Sequence, residues 1–160
     1  MVPGMQLTQF SDYSLRTLIY LGLRDGSLAT IEEIAAAYGI SESHLTKVVH
    51  KLGRLGVIDT VRGRGGGMRL SRRPADINIG ATVRLTEGNL TIVECFDVVH
   101  NTCPIAPVCG LNGVLGEALE AFMAVLDRYT LADIIKNRRD LAALLPMLDQ
   151  EVVRRRPAAS

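Results

Sequence analysis

Residues 30–70 read TIEEIAAAYGISESHLTKVVHKLGRLGVIDTVRGRGGGMRL, and this stretch decides the fold. Thr30 followed three residues later by Glu33 is a capping box: the hydroxyl accepts an early helix N–H while the carboxylate reaches back to the cap amide. The helix opened there should bury Ile31, Ile34, Ala35 and Tyr38, and Gly39 breaks it. Ser41 caps a second helix with an apolar stripe of Leu45, Val48, Val49 and Leu52, ending at Gly53. Two short helices joined by a glycine-containing turn form the helix-turn-helix pattern. On the outward face of the second helix stand Ser43, His44, Thr46, Lys47, His50 and Lys51. These are hydrogen-bonding or basic side chains, as a helix lying in the major groove of double-stranded DNA requires. An ordinary helical hairpin with a solvated face would share that pattern, but would not lead into a basic β-hairpin. Here Val57 to Val61 reads as a strand, Arg62-Gly63-Arg64-Gly65-Gly66-Gly67 as a basic flexible tip, and Met68 to Leu70 as the returning strand. Such a wing places Arg62 and Arg64 to reach phosphate or the minor groove. The glycines do not form a nucleotide-binding loop, because no helix opens from them and no Lys-Ser/Thr pair ends them.

Before this stretch, Leu7 to Leu23 carries Phe10, Ser14, Thr17, Leu18 and Leu21 at helical spacing. After it, Ile79 to Thr86 forms a short helix stopped by Gly88, and Leu90 to Gly110 shows no sustained period. A long helix comes next, its stripe made of Leu111, Leu115, Ala118, Leu119, Phe122, Leu126 and Tyr129. It exceeds the needs of so small a domain and suggests a dimer seam. Thr130 caps a further helix (Leu131 to Lys136), and Asp140 to Leu145 adds another turn or two. The fold class is therefore mainly α: a winged helix-turn-helix with a two-stranded wing plus a long C-terminal dimerisation helix. Its parts are a DNA-binding unit over 5–73, a connecting helix and loop over 74–110, a dimerisation helix with C-terminal helices over 111–145, and a flexible tail over 146–160. Met1 to Gly4 read as a loose leader.

Charge is divided along the chain. From Ser41 to Arg73 eight Lys or Arg face two acids, whereas from Pro74 to Ile135 two bases face eight acids. A basic block beside an acidic one fits a polyanion-binding module joined to a part that must not bind the polyanion. With 48% apolar residues but no tryptophan, Leu, Ile, Val and Ala must do the packing, which leans toward helices. No apolar run approaches a membrane span and no signal peptide is evident, so the expectation is a cytoplasmic protein with reduced thiols and no membrane partner.

All three cysteines fall in the aperiodic segment, as Cys95, Cys103 and Cys109. Three clustered thiols do not suit a disulfide framework and are one short of the four ligands of a tetrahedral zinc or a cubane iron–sulfur cluster. Either a fourth ligand comes from elsewhere or the thiols do redox chemistry. His100 lies inside the first interval, so a zinc site with one histidine ligand is a rival arrangement. No paired-carboxylate or nucleophile–base constellation is present, so an enzyme is not expected.

Several stretches together resemble one family. They are Leu7-Thr8-Gln9-Phe10-Ser11-Asp12-Tyr13, the helix-turn-helix with its glycine-rich wing, Asn101 to Cys109, and Tyr129-Thr130-Leu131-Ala132-Asp133. From about Met5 to Leu145 the chain is similar to the dimeric winged-helix repressors that carry an iron–sulfur cluster, and within them to the nitric-oxide sensors. The resemblance implies that Cys95, Cys103 and Cys109 hold a [4Fe–4S] cluster, with [2Fe–2S] or zinc as alternatives. It also implies that Asp12 of the partner subunit supplies the fourth ligand; read by itself, Asp12 makes an i,i+4 pair with Arg16. The implied protein is a homodimeric repressor that binds a palindromic operator and releases it when nitric oxide attacks the cluster. A zinc-stabilised or thiol-redox-sensing winged-helix regulator is the alternative.

Overall fold

The computed structural model describes residues 6–88 and 90–145; the expected leader and the 146–160 tail lie outside the described residues. Helix α1 spans Gln9–Leu23, with Thr8 as N-cap accepting the Ser11 N–H at 3.2 Å. Its inner face buries Leu18, Tyr20, Leu21 and Leu23 together with Ser14 and Thr17. Those two hydroxyls would be costly to bury unpaired, and each donates to a carbonyl one turn back, Ser14 to Phe10 and Thr17 to Tyr13, both at 2.7 Å.

Helix α2 (Ile31–Tyr38) has the expected capping box, and Gly39 ends it in the left-handed region at φ 63°. Helix α3 (Glu42–Arg54) starts from the Ser41 cap and buries Leu45, Val48, Val49 and Leu52. It runs one residue past the expected stop at Gly53. Ile31 and Tyr38 are only half-buried, at the edge of the core. The wing consists of antiparallel strands β1 (Ile58–Val61) and β2 (Gly67–Leu70), in register with Ile58 opposite Leu70 and Val61 opposite Gly67.

A pairing not legible in the sequence joins the wing to the helices. Ala29 and Met68 exchange backbone hydrogen bonds at 2.9 and 2.8 Å, and the Met68 side chain, 3% exposed, enters the core. That approach leaves no room for a side chain at Gly67, whose Cβ would lie 2.6 Å from the Ala29 carbonyl oxygen.

Helix α4 (Ile79–Glu87) begins at Asn78, whose side chain has two functions. Its Oδ1 caps Ala81 N–H at 2.8 Å, while its Nδ2 donates to the Asp127 carbonyl at 2.7 Å. Backbone bonds from Ile79 N–H to Tyr129 and from Leu131 N–H to Ile77 (3.0 and 2.8 Å) complete this junction. Next to it, Arg84 makes a bidentate pair with Asp127 at 2.6 and 2.7 Å. The two hydrogen bonds from Arg84 hold the Asp127 carboxyl below its usual range.

Helix α5 (Gly110–Asp127) is close to its expected bounds but differs in packing: Met123, absent from the predicted stripe, is its one buried residue. Leu111 and Phe122 of that stripe stand 59% and 41% exposed. An apolar stripe carries the same helical period whether or not the rest of the chain covers it, which is why periodicity cannot assign its burial. Helix α6 (Leu131–Ile134) is shorter than expected and has a second capping box, Thr130 with Asp133. Helix α7 (Arg138–Leu144) returns to α1, where the Arg138 guanidinium donates to the Gly22 and Leu23 carbonyls at 3.0 Å each. Among the described residues no helix is long and apolar enough to cross a membrane.

The wing contact gives a direct test. Replacing Gly67 by Ala forces a methyl against the Ala29 carbonyl and should destabilise the fold by about 1–3 kcal/mol. Chemical denaturation reads the loss; a wild-type midpoint would mean that the Ala29–Met68 pairing does not anchor the wing.

Candidate DNA-binding face and thiol loop

Because α3 buries Leu45, Val48, Val49 and Leu52, the residues between them point outward. Ser43, His44, Thr46, Lys47, His50 and Lys51 are all exposed, as are Arg62 and Arg64 at the wing tip. Three of them have local engagements. The Thr46 hydroxyl donates to the Glu42 carbonyl at 2.8 Å, the Ser43 and Ser41 hydroxyls lie 3.3 Å apart, and the His44 ring stands 6.1 Å from that of Tyr13. Among the described residues no ion pair involves Lys47, Lys51, Arg62 or Arg64. Cations left without internal partners on one helix face and an adjoining wing are a fitting surface for a phosphate backbone.

Asp12 stands in the first turn of α1, where its carboxylate pairs with Arg16 at 2.8 Å, both side chains a little over two-fifths exposed. This is the local pair that the i,i+4 spacing predicts. Arg16 also lies 5.9 Å over the ring of Tyr38, the last residue of α2. Burial pushes the Tyr38 phenol up to about 12, although Arg16 pulls the other way. Tyr13, next to Asp12, meets His44 at the start of α3. Arg16, Tyr13 and Tyr38 thus connect the first turn of α1 to both helices of the helix-turn-helix. Sequence reading missed them, since only the Asp12–Arg16 spacing is local enough to show.

The three cysteines occupy the connection between α4 and α5, which is irregular apart from single 3-10 turns at Glu94–Phe96 and Ala106–Val108. All three thiols are free and half-buried. Carboxylates shape the first interval. Glu94 accepts the Thr102 N–H at 2.7 Å and the Thr102 hydroxyl at 2.5 Å. One oxygen of Asp97 accepts the Val99 and His100 N–H groups at 3.0 and 3.2 Å, and the other lies 2.8 Å from His100 Nδ1. The Thr102 hydroxyl holds the Glu94 carboxyl below its ordinary range, and His100 does the same for Asp97. His100 is 80% exposed, and its Nδ1 faces Asp97, leaving Nε2 toward solvent.

Cys109 is the N-cap residue of α5, with no side-chain cap bond of its own, so its sulfur stands at the positive end of an 18-residue helix. Free, soft sulfur donors on irregular backbone fit an iron–sulfur cluster in their chemistry. Their placement is looser: among the described residues no three His, Cys, Asp or Glu side chains are gathered for a metal ion. Asp12 is likewise not gathered with the thiols of its own chain. The loop also exposes apolar side chains, Val98 at 94%, Val99 at 82% and Val108 at 87%.

Comparison with known proteins agrees with this architecture. The Rrf2 family model, described as an iron-dependent transcriptional regulator, matches residues 7–137. The chain is 56% identical over 144 residues to the HTH-type transcriptional regulator NsrR of Bacillus subtilis (strain 168), covering 89% of this chain and 99% of that one. It is also 56% identical over 142 residues to the regulator of the same name from Geobacillus kaustophilus (strain HTA426), covering 88% and 97%. Among solved structures, T. potens IscR matches with a TM-score of 0.66 at 26% identity, covering 84% of this chain and 88% of that one. CymR, described as the global cysteine regulator of B. subtilis, matches with a TM-score of 0.65 at 25% identity, covering 84% and 98%. These relatives are named as transcriptional regulators, not enzymes. With a family model spanning most of its length and relatives alike over nearly their whole length, the chain belongs to the Rrf2 family of transcriptional regulators.

Proposed function

We propose that this DNA-binding regulator is a homodimeric repressor in which Cys95, Cys103 and Cys109 hold an iron–sulfur cluster of the [4Fe–4S] type that senses nitric oxide. The observation that carries the reading is the trio of free thiols on the irregular loop leading into α5, in a chain whose family is described as iron-dependent. The name NsrR borne by relatives at 56% identity points the same way. When bound, the cluster would supply iron that reacts with nitric oxide.

The remaining work falls to the chain's own residues. Ser43, His44, Thr46, Lys47, His50 and Lys51 meet base edges and phosphates in the major groove, and Arg62 and Arg64 hold the adjacent backbone. The exposed stripe of α5, with Leu111 and Phe122, packs against a second copy and sets the spacing of the two recognition helices. Asp12 of the partner subunit completes the thiol site. Carboxylate oxygen is a harder ligand than thiolate, so it would be the most readily displaced of the four. In the single chain Asp12 is held by Arg16, which lies over Tyr38. Exchange of Asp12 between the partner's site and its own Arg16 would therefore be felt at the end of α2, and the adjoining Tyr13 would carry it to His44. Coupling of this kind typically amounts to about 1–3 kcal/mol, or roughly 5–150-fold in affinity.

The reading is tested by titrating anaerobic protein with nitric oxide while recording visible absorption and operator occupancy together. Bleaching and operator release should proceed in parallel; full bleaching with undiminished occupancy would refute the switch. Asp12→Ala should change the absorption spectrum or the rate of reaction with nitric oxide, and identical values would remove Asp12 from the site. Replacing Arg64 by Ala should weaken binding about equally on all sequences and lower the salt slope by about two units, one for each subunit of the dimer. An unchanged slope would take the wing off the phosphate backbone.

A further inference from the structure

Seven residues separate Cys95 from Cys103, a long flexible span for two thiols that must act on one centre. The structure closes that span at its neck. Glu94 immediately precedes Cys95 and Thr102 immediately precedes Cys103, and the Glu94 carboxylate receives both the Thr102 N–H and the Thr102 hydroxyl. The chain between them is folded inward by a second carboxylate: Asp97 takes the Val99 and His100 amides, and the Asn101 N–H returns to the Asp97 carbonyl at 2.9 Å. Asn101 Oδ1 then accepts the Cys103 N–H at 3.0 Å, fixing the backbone on which the second sulfur is mounted. The interval from Cys103 to Cys109 is organised differently. It contains Pro104 and Pro107 and, among the described residues, is held by backbone bonds alone, Ala106 N–H to Cys103 and Val108 N–H to Ile105. Side-chain clasping is therefore confined to the interval that proline does not stiffen.

We infer that Glu94 is a positioning residue: by holding Thr102 it brings the ends of the seven-residue interval together and sets the approach of the Cys95 and Cys103 thiols. The inference rests on the proposed thiol site, yet the clasp is a property of the chain that can be measured without any cluster. A carboxylate accepting two donors eight residues away replaces a floppy closure with a fixed one, reducing the conformational freedom that must be lost when the thiols converge. It also accounts for an acidic side chain directly beside a thiolate site, where its charge alone would be unfavourable.

The test uses cluster-free full-length protein carrying Cys109→Ser, so that Cys95 and Cys103 are the remaining thiols. Their effective concentration is read from the equilibrium of the Cys95–Cys103 disulfide against a buffer of reduced and oxidised glutathione. Glu94→Ala should lower it by about three- to tenfold, the value of roughly one net hydrogen bond. Glu94→Gln keeps an acceptor oxygen for the Thr102 amide and should restore most of the loss, which a merely structural defect would not allow. Thr102→Val keeps the amide and should show a smaller loss than Glu94→Ala. Equal effective concentrations in wild type and Glu94→Ala, with unchanged circular dichroism, would overturn the clasp. In parallel, the three-cysteine protein is loaded with iron and sulfide and challenged with EDTA; Glu94→Ala should lose its visible absorption faster, and an equal rate would count against positioning. If the wild type takes up no iron and sulfide, the proposed sensor reading fails, while the glutathione measurement still decides the clasp.

Discussion

The packing of α1 is the constraint on which the rest of the molecule depends. Its inner face meets α3, α4, α6 and β2, so the second helix of the helix-turn-helix, the wing and the helices that follow it are all placed relative to one rod. Both ends of that rod are fastened. At the N-terminal end the Thr8 N–H and hydroxyl reach Glu87 of α4, and Ser11 bonds Thr86 at 2.8 Å. At the C-terminal end Arg138 takes two of the carbonyls that a helix terminus leaves without partners.

This placement gives Asp12 its significance. It lies on the solvent side of α1, one residue from the Tyr13 that meets α3 and one turn from the Arg16 that lies over α2. A ligand taken from this position would engage the helix that packs against α3 and β2. The loop carries half-buried thiols and the exposed Val98, Val99 and Val108, and α5 exposes Leu111 and Phe122, apolar side chains that a finished exterior would not need. In the proposed dimer these surfaces cover one another, and the two halves of the sensor come from different copies of the chain.

Much of this was legible in the sequence where the determining interactions are local. The Thr30–Glu33 capping box, the Ser41 cap, the stop at Gly39 and the wing glycines act over three or four residues, and each lies where the pattern places it. The Asp12–Arg16 pair is equally local. The features that escaped depend on contacts between distant segments. Ala29 pairing with Met68, Asn78 meeting the 127–130 junction and Tyr13 meeting His44 leave no periodic trace. The thiol loop reads as irregular because it lacks a period, but its internal order comes from the carboxylates of Glu94 and Asp97, whose partners have no periodic signature. The burial of Met123 instead of the α5 stripe has the same origin, since a period shows that a face exists and not what it faces.

The central claim is that the site is completed across the dimer, and complementation between differently tagged protomers tests it most directly. One heterodimer pairs an Asp12→Ala protomer with a Cys103→Ser protomer; the other pairs a protomer carrying both changes with a wild-type one. Ligation by the partner's carboxylate leaves one intact site in the first heterodimer and none in the second. The first should therefore show about half of the wild-type cluster absorption with the wild-type rate of reaction with nitric oxide, and the second should not. The reverse pattern would place Asp12 in the site of its own subunit, and identical behaviour of the two would remove it from ligation altogether.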